Sequence, residues 1–236
     1  MFFDLAFAIK SFPEILTGVP MTLLITVVSM FLGLLLGLGL TLCRMYNVPV
    51  LKKLATVYIS FVRGTPLLVQ IYVIFFGLPR FFDYFNATTG WHFPSENIPP
   101  LLFALIAFTI NTSAYLAETI RSALQSVDSG QMEAAHAVGL TTWQGLKRIV
   151  IPQALVVALP TLGNVFLGLI KGTSLAYAVR VVEVLAKAKI IAGDGYQYLE
   201  TYIDAAIIYW ILSFIFERLF FILENRLNRF RGEVTA

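Results

Sequence analysis

Five stretches of the chain are apolar and long enough to cross a membrane as helices, and short polar segments separate them. A membrane-spanning helix needs about 20 mainly apolar residues. The stretches run from about Pro20 to Cys43, about Leu54 to Leu78, about Pro99 to Arg121, Ile149 to Ile170, and about Ile203 to Leu223. The pattern therefore predicts an all-α membrane protein with five transmembrane helices.

The second stretch is interrupted by Arg63-Gly64-Thr65-Pro66, which is unfavourable for a continuous helix. Backbone that leaves the helical hydrogen-bond pattern inside a bilayer must contact protein or line a water-filled cavity. We therefore predict that Arg63 and Pro66 have a packing or gating role. Direct contact of Arg63 with a substrate is the alternative.

Composition agrees with the apolar pattern and excludes several classes of protein. Of 236 residues, 58% are hydrophobic and 13% are charged, whereas a soluble domain has about 25% charged residues. Disorder requires low hydrophobicity and high charge, so it is excluded. A net charge of +3 is too small for a nucleic-acid-binding surface. The single Cys43 and the separated His92 and His136 offer no metal-ligand spacing.

The basic residues predict the orientation of the chain, because cytoplasmic loops are enriched in Lys and Arg. If the spans alternate in direction, ten basic residues fall on one side: Arg44, Lys52, Lys53, Arg121, Lys147, Arg148, Arg218, Arg226, Arg229 and Arg231. Five fall on the other: Lys10, Arg80, Arg180, Lys187 and Lys189. The N-terminus is therefore predicted to lie outside and the C-terminus in the cytoplasm.

This orientation divides the chain into three predicted parts. Residues 1–14 form an interfacial segment on the outer leaflet, because apolar residues recur along it. Residues 15–225 form the transmembrane domain, and residues 226–236 form a cytoplasmic tail. Between spans three and four, residues 128–152 form the most structured cytoplasmic loop.

The 128–152 loop has the sequence of two short helices joined at a glycine. Two pairs have capping-box spacing: Asp128 with Gln131, and Thr141 with Gln144. Glu133 is predicted in the first turn of the first helix, where the helix dipole favours an acid. Gly139 is suited to end that helix in the left-handed conformation. The result is a rigid elbow, which is either a simple re-entry turn or a docking surface.

The same loop resembles a known motif. Glu133-Ala134-Ala135, Gly139 three residues later, and Ile149-Val150-Ile151-Pro152 after nine more resemble the Glu-Ala-Ala loop of ABC importer permeases, with Ile151 in place of leucine. Three other segments resemble the polar amino acid subfamily (histidine, glutamate, glutamine, arginine and opines): residues 61–70, 114–118 and 169–175.

The resemblance implies a fold, a mechanism and a set of partners. It implies a type I importer fold in which Glu133, Ala134, Ala135 and Gly139 couple the chain to cytoplasmic ATP-binding subunits. Two permease chains, identical or related, would alternate between inward- and outward-facing states in the bacterial inner membrane. An external solute-binding protein would deliver the amino acid. ATP and Mg²⁺ would bind the partner subunit, so this chain would carry no cofactor and would not be an enzyme.

Polar residues inside the spans are candidates for the substrate pathway, because they are costly in a bilayer. Asn111, Tyr115 and Glu118 share one helix face, and Glu118 either receives a substrate cation or pairs with Arg63 or Arg121. Thr65 and Gln70 either line the pathway or form interhelical hydrogen bonds.

Asn164 and Lys171 are seven residues apart and share a face of the fourth span. Lys171 either meets a substrate carboxylate or extends to the outer interface.

Two other functional classes fit the sequence less well. A stand-alone secondary transporter or channel usually has duplicated halves, and no inverted repeat is detectable here. A membrane-embedded enzyme would need a histidine cluster, a nucleophile with a base, or paired acids, and the sequence has none of these. A phosphate-binding loop of the form Gly-x4-Gly-Lys-Ser/Thr does not occur either.

Overall fold

The computed structural model describes residues 3–94 and 97–234, with side chains as far as Asn228. These residues form helices and no strands. The first five helices are α1 Leu5–Leu16, α2 Val19–Met45, α3 Leu51–Gly64, α4 Leu67–Thr89 and α5 Pro100–Gln125. The next five are α6 Ser129–Ala137, α7 Thr142–Gly145, α8 Ile151–Gly172, α9 Val184–Gly195 and α10 Tyr198–Val234.

Two irregular helical segments flank α8. A π-helical turn, Leu146–Val150, joins α7 to α8, and a 3₁₀ segment, Thr173–Val179, follows α8. The wide turn lies directly before Pro152, which has no N–H to donate. The whole stretch Thr142–Val179 is helical and long enough to span a bilayer.

The predicted number of five spans is confirmed: Val19–Met45, Leu67–Thr89, Pro100–Gln125, Thr142–Val179 and Tyr198–Asn228. The predicted second span, Leu54 to Leu78, covers most of α3 and the first half of α4, whereas α4 alone has the length and composition of a span. The predicted break is present, because Thr65 and Pro66 both have extended backbone and separate α3 from α4. α4 begins near the middle of the neighbouring α5, where Gln70 contacts Asn111, and ends at Gly90, whose φ is 73°.

The core depends on a close approach of α2 to α5. A Cβ atom added at Gly33 would lie 3.0 Å from Thr112 Cγ2, and one added at Gly37 would lie 3.0 Å from the Ala117 nitrogen. Thr41 Oγ1 donates to the Ala117 carbonyl across the same interface at 2.8 Å. The small residues of α2 therefore serve packing, as is common between membrane helices.

α1, α9 and α10 pack together at one end of the bundle. Ser11 Oγ on α1 donates to Asp204 Oδ2 on α10 at 2.7 Å, and the Asp4 nitrogen donates to Glu200 Oε1 at 2.8 Å. The opposite face of α1 exposes Leu5 and Ile9. A helix is thus present where the interfacial segment was predicted, and Met1 and Phe2 lie outside the described residues. The predicted tail is helical from residue 226 to Val234; residues 235–236 also lie outside the described part.

Candidate functional site

The predicted elbow is present and is closed by a Schellman motif. α6 ends at Ala137, and Gly139 has a φ of 81°. The Leu140 nitrogen donates to the Ala135 carbonyl at 3.0 Å, and the Gly139 nitrogen donates to His136 at 2.9 Å. These two bonds satisfy carbonyls that would otherwise lack partners at the helix end. The prediction that Gly139 adopts the left-handed conformation is confirmed.

The two helix starts of the elbow differ from each other. Thr141 and Gln144 form a reciprocal capping box, as predicted. Asp128 caps α6 through the Gly130 nitrogen at 2.7 Å, so the predicted box with Gln131 is wrong. α6 begins at Ser129, which places Glu133 in the second turn rather than the first. The side-chain cap and not the dipole interaction of Glu133 therefore stabilises this helix start.

The elbow has a buried hinge and an exposed apolar tip. Ala135 is buried, because α7 approaches so closely that a Cβ on Gly145 would lie 3.3 Å from the Ala135 Cβ. Glu133 and Ala134 are exposed on the other side of α6. At the tip, Val138 is 76% exposed and Trp143 is 67% exposed. The sequence interpretation did not select these two side chains, although a hydrophobic pair in a polar loop is a signal for a partner contact.

Gln70 holds together the break between α3 and α4. Its Nε2 donates to the Val62 carbonyl at 2.8 Å and to Thr65 Oγ1 at 2.8 Å, and its Oε1 accepts from Asn111 Nδ2 on α5 at 3.0 Å. Carbonyls freed by Pro66 thereby gain a donor inside the membrane region. The structure thus brings Thr65, Gln70 and Asn111 together and shows the interhelical hydrogen bonding that was the alternative for Thr65 and Gln70.

Arg63 and Tyr115 form a second contact near the break. The Arg63 guanidinium carbon lies 5.5 Å from the centroid of the Tyr115 ring, within cation–π range. Both side chains are exposed in the single chain. Arg63 therefore contacts α5 through an aromatic ring, which is consistent with packing of α3 against α5.

Glu118 is paired with two arginines near the ends of α2 and α5. Its Oε1 pairs with Arg44 Nη1, and its Oε2 accepts from Arg121 Nε at 2.9 Å and Nη2 at 2.6 Å. The side chain of Glu118 is 20% exposed. Of the two arginines that the sequence offered as partners, Arg121 is a partner and Arg63 is not. Arg44 was not anticipated.

We expect Glu118→Gln to lower the stability of the purified chain, because it leaves two partly buried guanidinium groups without a counter-charge. The expected loss is about 1–2 kcal/mol, seen as a lower Tm in detergent. The double variant Glu118→Gln/Arg44→Gln should recover part of this loss, because one unpaired charge is then absent. Equal Tm values for the single variant and the wild type would contradict this role of the ion pairs.

Asn164 and Lys171 are not among the hydrogen-bond partners of Gln70 in the part of the chain that the structure describes. Asn164 lines a cavity of about 420 Å³ between α8 and α10, together with Pro160, Glu217, Arg218 and Glu224. Lys171 is exposed at the end of α8. Both side chains are thus exposed on α8, in agreement with the shared face that the sequence pattern predicted.

A larger cavity of about 620 Å³ opens between α4, the 3₁₀ segment and α9. Its lining includes Tyr72, Tyr177, Arg180 and Lys189, none of which the sequence interpretation selected as a site residue. The separation in sequence explains this omission, because no local motif links α4 to a pair of basic residues more than 100 positions later.

Glu183, which is fully buried, fixes the start of α9. Its carboxylate accepts from the Leu185 nitrogen at 3.0 Å and the Ala186 nitrogen at 2.9 Å, and from the Tyr209 hydroxyl. Burial nevertheless raises the pKa of Glu183 above its usual range, because desolvation outweighs the hydrogen bonds. This segment between the fourth and fifth spans is therefore anchored to α10.

Comparison with known proteins shows which family the chain belongs to. Residues 29–229 match the model of the binding-protein-dependent transport system inner membrane component family. The chain belongs to this family. The probable amino-acid ABC transporter permease protein YckA of Bacillus subtilis (strain 168) is 44% identical over 90% of this chain and 88% of YckA. The L-cystine transport system permease protein TcyL of the same organism is 37% identical, over 92% of this chain and 88% of TcyL.

A solved structure supports the family assignment and the fold. The crystal structure of an amino acid ABC transporter with histidines superposes with a TM-score of 0.81, at 36% identity, and covers 94% of this chain and 98% of that chain. The predicted type I permease fold is thus confirmed. As a family member, the chain is a multi-pass membrane subunit of a transporter and not an enzyme, since separate ATP-binding subunits hydrolyse ATP in ABC importers.

Proposed function

We propose that this chain is the permease subunit of an ATP-driven importer of polar amino acids in the bacterial inner membrane. The single observation that carries the proposal is the elbow, whose rigid Schellman turn presents Val138 and Trp143 outward beside the Glu133-Ala134-Ala135 motif. Relatives named for amino acids, L-cystine among them, support the substrate class. The same reasoning assigns the elbow to the cytoplasmic side, with the N-terminus outside.

The partners follow from this role. The exposed coupling residues Glu133 and Ala134, with Gly139 setting the turn and Ala135 holding the hinge, would contact a cytoplasmic ATP-binding subunit that carries ATP and Mg²⁺. A second permease chain would complete the pathway, and an external solute-binding protein would deliver the amino acid. α1 would lie on the outer leaflet, because Leu5 and Ile9 face away from the protein.

We assign the pathway to the polar residues near the helix break. Thr65 and Asn111, which are partly exposed, would line it at mid-membrane, and their hydrogen bonds to the buried Gln70 would hold them in place. Arg63, Pro66 and Tyr115 would form a movable constriction. Glu118 would line the pathway near the inner end of the same face of α5, and Asn164 and Lys171 would line it from α8. The break at Pro66 supports this assignment, because non-helical backbone in a membrane requires protein or water around it.

The test is uptake by the complete complex. The chain, its ATP-binding subunit and its solute-binding protein are reconstituted in liposomes and supplied with radiolabelled L-amino acids, L-cystine included. ATP-dependent and receptor-dependent accumulation of at least one polar amino acid is expected. Uptake by the chain alone, driven by an ion gradient, would instead identify a secondary transporter.

We expect Trp143→Ala to weaken binding of the ATP-binding subunit about tenfold, because a large aromatic side chain at the tip of the elbow would be buried in the interface. Retention of the ATP-binding subunit during gel filtration at decreasing concentration measures this effect. Trp91→Ala is the matched control, since Trp91 is 68% exposed but lies in the loop after α4, on the predicted outer side. Equal retention in both variants would exclude Trp143 from the interface.

A further inference from the structure

We propose that Arg180 and Lys189 bind the carboxylate of the amino-acid substrate in the cavity between α4, the 3₁₀ segment and α9. This inference rests on the proposed function, and it names a charged subsite for the substrate. The cavity volume of about 620 Å³ is in the range of small-molecule sites. Its lining residues are Leu68, Tyr72, Ser174, Leu175, Tyr177, Ala178, Arg180, Val182 and Lys189.

The cavity has positive charge without an acid to neutralise it. Arg180 and Lys189 are its charged lining residues, and neither forms an ion pair with any carboxylate that the structure describes. Lys189 Nζ lies 4.3 Å from the centroid of the Tyr177 ring, which orients the ammonium group without neutralising it. By contrast, Arg44 and Arg121 share Glu118. The charge of the cavity therefore favours an anionic group.

The backbone of Arg180 has a conformation that is costly for a residue other than glycine. Its φ of 65° lies in the left-handed region, where glycine is usual and another residue costs about 1–2 kcal/mol. Two hydrogen bonds hold the turn: the Arg180 nitrogen to Tyr177 at 2.9 Å, and the Val181 nitrogen to Ala176 at 3.2 Å. A strained arginine that lines a cavity is typical of a functional position.

Lys189 is carried on a fixed helix. Glu183 caps α9 and binds the Tyr209 hydroxyl of α10, and Val184 is fully buried against the corner between α1 and α2. A Cβ atom on Gly18 at that corner would lie 2.7 Å from the Val184 nitrogen. The first turn of α9, which precedes Lys189, is therefore held both by α10 and by the corner between α1 and α2.

The remaining walls suit a small zwitterion rather than a macromolecule. Leu68 and Tyr72 lie one turn apart at the start of α4, and Gln70 lies between them in sequence. Because Gln70 is two residues from each, its side chain lies on the opposite face of α4, so the Gln70–Asn111 contact is separate from the cavity. Carboxylates accept charge-assisted hydrogen bonds from arginine and lysine, and every amino acid provides one. An acidic lobe of the solute-binding protein is the competing ligand.

The experiment compares a transported amino acid with its carboxamide, which keeps the ammonium group and side chain but lacks the carboxylate. Uptake by the reconstituted wild-type complex first selects the amino acid. Calorimetry then measures its binding, without receptor, to the complex in nanodiscs trapped with ATP and vanadate. We expect the wild type to prefer the amino acid about tenfold or more, and Arg180→Gln and Lys189→Gln to reduce this preference to about twofold or less.

Three controls make the result specific. Lys187→Gln removes a basic residue of the same helix that does not line the cavity, and it should leave the preference unchanged. The carboxamide should bind the wild type and both variants equally. Unchanged Tm values show that the variants are folded.

Several results would overturn the inference. These are the absence of amino-acid binding by the transport-competent wild type, no preference over the carboxamide, or an unchanged preference in both variants. A higher KM for loaded receptor in the ATPase assay, with the preference unchanged, would assign the two residues to receptor docking. A complex that takes up no amino acid would contradict the proposed function and this inference together, whereas the other outcomes contradict the inference alone.

Discussion

Replacing Gly139 with valine is expected to reduce ATP-driven uptake at least tenfold while the chain still inserts and folds. A β-branched residue at a φ of 81° is a rare outlier, and the left-handed region costs a non-glycine residue about 1–2 kcal/mol or more. The two hydrogen bonds that close the Schellman turn depend on this conformation. Without them, α6 and α7 lose their fixed angle, and the motion of the ATP-binding subunit no longer reaches the membrane helices.

The space around Gly139 separates backbone strain from steric clash. Apart from its chain neighbours, no atom of the described residues would lie within 4 Å of a Cβ atom at this position, so the spanning helices should keep their packing and Tm. Gly139→Asn is the conservative control, because asparagine tolerates the left-handed conformation and should retain most uptake. Gly39→Val is a second control, because Gly39 also has open space around it but has ordinary helical backbone. Normal uptake and normal uptake-to-ATP ratios in Gly139→Val would exclude the elbow from coupling.

Local signals in the sequence were sufficient for the elbow and for the number of spans. The elbow depends on Thr141, Gln144 and Gly139, whose effects act over three to five residues of backbone and can be recognised without knowledge of the fold. The number of spans follows from apolar length, which the bilayer imposes on each helix independently. Asp128 shows the limit of this approach, since the same carboxylate could cap through either of two neighbouring nitrogens.

The C-terminal end of α4 could not be predicted from hydropathy. The apolar stretch follows α3 and the first part of α4, with an interruption at Arg63-Gly64-Thr65-Pro66. Pro79 and Arg80 suggest an end at Leu78, yet α4 continues past them to Thr89. Stacking of Phe81 on Phe85, and the clamp of Asn86 on the Phe93 backbone at 2.8 and 2.9 Å, hold the extension together. Proline within a helix is tolerated where such contacts compensate.

The residues of the site that the sequence interpretation missed are mainly contact partners that are distant in sequence. Arg121 was predictable as a partner of Glu118, because residues three apart on a helix are neighbours. Arg44 is 74 positions away and meets Glu118 only because α2 lies close along α5. Arg180 and Lys189 line the same cavity as Tyr72 for a similar reason, through the packing of three separate segments. Contacts of this kind depend on interhelical distances, which small residues set and which periodicity does not report.

Gly37→Ala should therefore be among the most destabilising single-methyl changes in the chain, because it acts on the interface that positions Glu118 and Arg44. The added Cβ would lie 3.0 Å from both the Ala117 nitrogen and the Ser113 carbonyl oxygen. These are backbone atoms of α5, which cannot rotate away as a side chain can, so the two helices must separate. We expect a loss of about 3 kcal/mol, measured as a lower Tm in detergent, and a larger loss for Gly37→Leu.

Gly39 provides the matched control two residues further along the same helix. A Cβ atom there would meet nothing within 4 Å, and alanine has the higher helix propensity, so Gly39→Ala should leave Tm unchanged or raise it slightly. Both variants add one methyl group to the same helix at a similar depth. They differ only in the atoms that the methyl group contacts. Equal Tm values for the two alanine variants would show that α2 and α5 are not held at this distance. Thr41 and the Arg44–Glu118 pair depend on the same spacing between α2 and α5. Glu118→Gln should therefore no longer lower Tm when it is made in the Gly37→Ala variant.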